Sequence, residues 1–93
     1  MSKPRKFPCL YNIVKKDDIE TLTDYFDENP DYNIFASLRT SHNLYYHSIE
    51  LGSIQCFIFL TNRLSLNDLS EWSNSVVSYY REHPDIFDYY YNT

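Results

Sequence analysis

Three histidines, two cysteines and several carboxylate pairs are the side chains here that could do chemistry. His42 and His47 flank Tyr45-Tyr46, and Ser48 follows. A serine–histidine nucleophile also needs an orienting acid and an oxyanion hole, and the chain has no GxSxG stretch. His47 therefore reads as a surface residue of a helix rather than a base. Cys9 and Cys56 form no CxxC and share no basic neighbourhood, and the histidines lack metal-ligand spacing. Cys56 sits in an apolar run and reads as an inert core thiol. Asp17-Asp18 and Asp24, Asp27 and Glu28 fall on or beside a helix exposed by its pattern. A catalytic pair needs one acid buried and raised in pKa, so these read as solvated charge. With one glycine in total, Gly52, a glycine-rich phosphate cradle is excluded. The residues predict no enzyme, no cofactor and no metal.

The elements that must position them belong to one small domain, residues 1–93. A chain of this length buries only about 60–65% of its unfolded surface, and an aromatic fraction of 18% compensates with large buried rings. No h-region follows the basic start MSKPRKFP, no apolar run approaches membrane-spanning length, and two cysteines make no disulfide framework. The expectation is a reducing, cytoplasmic or other intracellular location without membrane attachment. Residues 1–7 read as a basic arm on an acidic body. The net charge of −5 repels phosphates, so direct nucleic-acid binding is not expected.

Apolar spacing is helical throughout. Leu10, Ile13 and Val14 share a face; Ile19, Leu22, Tyr25 and Phe26 form a second stripe, ended by Asn29-Pro30. The connection from Asp31 to Ser41 carries Tyr32, Ile34, Phe35 and Leu38, too apolar for a loose linker. Leu44, Tyr45, Ser48 and Ile49 resume the helical pattern, and Ile54 to Leu60 is apolar nearly all round, as in a helix covered on several sides. Leu69, Trp72, Val76 and Tyr79 predict one longer amphipathic helix capped by Asn67-Asp68, and Ile86 to Tyr91 a short aromatic ending.

Residues 11–26 align with residues 46–61 at a shift of 35. Tyr11 falls on Tyr46, Val14 on Ile49, Ile19 on Ile54, and Asp17-Asp18 on Gly52-Ser53. Each copy reads as helix, tight turn, helix, with a left-handed residue at the turn. Glycine takes that conformation freely, and Asp is among the next most tolerant residues. The pattern resembles the ankyrin repeat over residues 8–67. Asn43, Leu44, Tyr45 and Tyr46 stand for the opening tetrad, Ser48-Ile49 for the alanine pair, Gly52-Ser53 for the turn, and Ile54 to Leu60 for the outer helix. The first copy runs Pro8, Cys9, Leu10, Tyr11, then Ile13-Val14, then Asp17-Asp18. Neither copy has the full threonine-proline-leucine-histidine opening, and larger residues replace the small pair.

The expected fold is all-α: a short ankyrin-like array of two helix-turn-helix units, closed by C-terminal capping helices over residues 68–93. A compact non-repeat bundle is the competing architecture. The resemblance implies a non-catalytic protein-binding module whose partner-facing surface holds Phe35, Arg39, His42, Tyr46 and His47. Divergent ankyrins of this kind suggest a viral or parasite-type competitor of a host protein, acting inside the host cell. The alternative is a small acidic phage-type inhibitor whose carboxylates mimic nucleic acid and block a DNA- or RNA-binding protein.

Overall fold

Seven α-helices, and no β-structure beyond one isolated bridge, account for the regular structure of residues 7–92, the residues that the computed structural model describes. Residues 1–6 and 93 lie outside them, and with them all of the expected basic arm except Phe7. The helices are α1 (Leu10–Lys15), α2 (Ile19–Glu28), α3 (Leu44–Glu50), α4 (Ile54–Thr61), α5 (Leu66–Ser70), α6 (Ser73–Ser78) and α7 (Pro84–Tyr91).

Two turns determine how the first four helices pair. In the first, the Asp17 amide donates to the Val14 carbonyl at 2.9 Å and the Asp18 amide to Ile13 at 3.0 Å. In the second, Gly52 donates to Ile49 at 3.2 Å and Ser53 to Ser48 at 3.0 Å. This is the Schellman arrangement, and its left-handed residues are Asp17 (φ 51°) and Gly52 (φ 68°). The two turns are the same motif at the 35-residue shift read from the sequence.

The pairs then stack in series. α1 packs on α2, α3 on α4 and α6 on α7. Between pairs, α1 meets α3 and α3 meets α6 in one row, while α2 meets α4 and α4 meets α7 in the other. The structure thus has three helix pairs where the sequence predicts two and a closing helix. The expected long helix over Leu69–Tyr80 is broken into α5 and α6 at Glu71-Trp72. The Trp72 ring is drawn onto Phe35 (stacked, 5.8 Å) and the edge of Tyr45 (5.4 Å). The Leu69 carbonyl takes the Trp72 amide in a tightened bond at 3.0 Å and also accepts from the Tyr90 hydroxyl. The cap of α5 is Ser65 rather than Asn67, in a capping box with Asp68. α4 is covered on several sides, as its composition demands, and one of them meets α7, through Tyr89 against Phe57 (6.1 Å).

Three polar side chains stitch the turn ends together. Asp17 accepts from the Cys56 amide at 2.9 Å and the Gln55 amide at 3.3 Å, capping α4 from the neighbouring pair. Ser53 is the N-cap residue of α4 but makes no cap bond; its hydroxyl donates to the Val14 carbonyl of α1. The His83 Nε2 lies 3.0 Å from the Glu50 carbonyl. A carbonyl only accepts, so Nε2 carries the proton. The His83 ring sits against Gly52 itself: a Cβ there would lie 2.2 Å from Nδ1. Gly52 is thus required twice, by its left-handed backbone and by the ring above it.

The core runs through all three pairs: Ile13 and Val14, Leu22 and Phe26, Leu44, Tyr45 and Ile49, Cys56, Phe57 and Leu60, then Val76 and Ile86. No described helix is long and apolar enough to cross a membrane.

Gly52→Ala is expected to destabilise the fold by about 2–4 kcal/mol, from a left-handed alanine and a clash with the imidazole. Urea unfolding checks this, with a double-mutant cycle. The Gly52→Ala/His83→Ala variant should lose less than the sum of the single losses, because the second change removes the clash.

Candidate interaction surface

Between α2 and α3 the chain makes a small hairpin. Ser37 bridges Asn43, the Leu38 amide donates to the His42 carbonyl at 2.9 Å, and the Ser41 amide donates back to Leu38 at 3.0 Å. The loop residues are Arg39, Thr40 and Ser41, with Ser41 left-handed (φ 70°), as in a three-residue hairpin closed by a bulge. The Asn43 side chain then caps α3 through the Tyr46 amide at 2.8 Å. The approach to the hairpin is anchored by buried Ile34 and by Tyr32, whose edge meets Tyr25 and Phe26.

The five residues expected to face a partner divide into three groups. Arg39 and His42 are exposed, and the His42 ring stacks on Tyr46 at 4.2 Å. Tyr46 is half-buried, its hydroxyl 2.9 Å from that of Tyr79 on the next pair. Phe35 is half-buried and committed to Trp72. His47 departs furthest from expectation: at 3% exposure it is an internal residue and not a surface one.

His47 Nδ1 lies 3.1 Å from Glu50 Oε1 and Nε2 lies 2.5 Å from Thr40 Oγ1. The carboxylate requires the proton on Nδ1, so in the neutral ring Nε2 accepts from the Thr40 hydroxyl. Hydroxyl, imidazole and carboxylate in series have the connectivity of an acyl-transfer triad. The amide next to Thr40, that of Ser41, is already donated to Leu38 and offers no oxyanion donor. The Ser48 hydroxyl, itself buried, is donated to the Tyr45 carbonyl at 2.6 Å. The series instead ties the hairpin tip to α3.

The Cys56 thiol is not activated. Burial pushes the Cys56 thiol up to about 12, and the hydrogen bond and charge of Asp17 push it the same way. A thiolate there would be desolvated beside a carboxylate. Exposed Cys9, with Leu10, Tyr11, Leu38, Arg39 and Thr40, lines an open cavity of about 280 Å³ between α1 and the hairpin. Among the described residues no three metal-ligating side chains converge.

What the hairpin and the α1–α3–α6 row do create is a band of rings. Tyr11 meets His47 edge-on at 4.8 Å, His47 meets Tyr46 at 5.8 Å, His42 stacks on Tyr46, and Tyr46 meets Tyr79 at 6.2 Å. The His47–Tyr46 contact lies within α3; the other links join one helix pair to the next or to the hairpin. Sequence spacing could not find Tyr79 as part of it, because its place depends on α6 breaking from α5. The hydrogen bond to Tyr46 pushes the Tyr79 phenol up to about 12, with burial and the carboxylates of Glu50 and Glu82 acting the same way.

No family model, no curated protein and no solved structure matches the chain.

Tyr46→Phe removes the main cause of the Tyr79 shift, so Tyr79 should titrate nearer the ordinary tyrosine value of 10.0. NMR titration with ring-labelled tyrosine checks this. The sign for stability follows: an unfolded Tyr79 ionises first, so its contribution is complete below that value and is lost as pH rises toward about 12.

Proposed function

We propose that this chain is a non-catalytic protein-binding module of ankyrin-like type, which engages another protein through its hairpin tip and the exposed edge of its ring band. The observation that carries the reading is the ring band itself. Rigid, amphipathic rings that bridge three helix pairs form a pre-ordered surface, and such rings are enriched where proteins meet. The hairpin between the first two pairs and the matching Schellman turns at a 35-residue spacing support the ankyrin-like comparison. Arg39 and His42 are the partner-facing residues; Tyr46 contributes its ring edge, while Phe35 and His47 hold the surface from behind. Competition with a host protein for the same partner is the role we assign to this surface.

The test is affinity capture with mass spectrometry, run with two variants. Partners held by the wild type should be lost with Arg39→Glu/His42→Ala and kept with Asp24→Lys/Asp27→Lys/Glu28→Lys. The reverse pattern would overturn the proposal in favour of a nucleic-acid mimic acting through the carboxylates of α2.

A further inference from the structure

The cavity of about 280 Å³ between α1 and the hairpin is largely apolar. Cys9, Leu10 and Tyr11 form one wall, and Leu38, Arg39 and Thr40 form the other. Buried His47 ties the two walls together. Its ring meets Tyr11 edge-on at 4.8 Å, and its Nε2 accepts from Thr40 Oγ1 at 2.5 Å. The Leu38 amide, donated to the His42 carbonyl at 2.9 Å, fixes the hairpin side. The space is thus formed by contacts within the chain, as ligand sites usually are.

The lining carries one charged side chain, exposed Arg39, and no carboxylate. Among the described residues no acid pairs with its guanidinium. The α1 wall belongs to residues 1–16, which hold five of the eight basic residues and none of the acids. In an otherwise acidic chain, this hollow takes one wall from the basic first stretch and the other from one of the three cations beyond it. We propose that the cavity binds a small apolar carboxylic acid, with its hydrocarbon body between Leu10, Tyr11 and Leu38 and its carboxylate on Arg39. A planar guanidinium meets a carboxylate in two parallel hydrogen bonds. Other ligand classes fit less well. A cation would face the arginine, and a neutral hydrocarbon would leave it unused. Inorganic phosphate would forgo the apolar walls, whose removal from water favours binding. The volume, just under the usual pocket range of about 300–1,000 Å³, limits the body to a single ring or a short chain. Arg39 also faces the partner in the function proposed above, but His42 and Tyr46 do not line the cavity, so the acid site does not rest on that reading.

NMR titration of the nitrogen-15-labelled full chain with 4-methylbenzoate tests it, with 4-methylbenzamide as the uncharged probe of the same shape. Saturable shifts are expected at the amides of Leu10, Tyr11, Leu38, Arg39 and Thr40. The acid should bind about tenfold tighter than the amide, the ratio that a charge-assisted hydrogen bond supplies. The acid should also slow alkylation of exposed Cys9 by iodoacetamide, read by mass spectrometry at that residue. Arg39→Gln should erase the preference for the acid, and Cys9→Phe, from the opposite wall, should fill the cavity and block both probes. His42→Ala should leave both affinities unchanged, which separates this site from the partner surface. No saturable shift at these residues, equal affinity for acid and amide in the wild type, or a folded Arg39→Gln variant that keeps the preference would overturn the proposal.

Discussion

The stack depends on how closely its turns can approach one another, and the contact of the His83 imidazole with Gly52 sets that distance. A side chain at position 52 would displace the ring and break its bond to the Glu50 carbonyl, one of the acceptors a helix end leaves without an internal partner. The first turn solves the same problem differently. Asp17 tolerates the left-handed backbone and turns its carboxylate into a cap for α4. Where a carboxylate can reach an open helix N-terminus, aspartate serves both backbone and cap; where a ring must pass, only glycine fits.

Large residues between the helices follow from this arrangement. With no alanine pair to bring helices into close approach, the gaps are filled by rings, and buried hydroxyls are matched to partners across elements. Tyr45 stacks on Phe57 and bonds Thr61, both on α4; Tyr46 reaches Tyr79; Tyr89 reaches Asn62; Tyr90 reaches the Leu69 carbonyl. Among the described residues no buried side-chain nitrogen or oxygen lacks a partner. The many tyrosines that look surplus for so small a core are therefore mostly structural, placing rings inside and hydroxyls on polar neighbours. Tyr80 and Tyr91, about half exposed, are the exceptions.

The legible parts of the sequence were those governed by local rules. The matching turns at Asp17 and Gly52 follow from left-handed tolerance, the end of α2 follows from Asn29-Pro30, and the covered state of α4 follows from its composition. The third helix pair was hidden because it uses no left-handed turn: α6 ends at Ser78 and α7 begins with Pro84 at its first position, only thirty residues after the start of α4. Position 47 was misplaced for a related reason. Its partner Thr40 lies across the hairpin, a contact that no helical period reports. Arg39 and His42 were readable as exposed because polar residues at a hairpin tip have nowhere else to go. The double use of Gly52 was readable only by half, since the backbone demand is local and the His83 contact is not.

The most direct test of the account is the proximity of His83 to Gly52 in solution, read as nuclear Overhauser effects between the imidazole Hε1 and the Gly52 α-protons. Strong cross-peaks are predicted, together with contacts from the same ring to the Glu50 segment. Their absence in a protein whose α3 and α4 amide patterns are otherwise helical would contradict the stacked turns and, with them, the three-pair architecture.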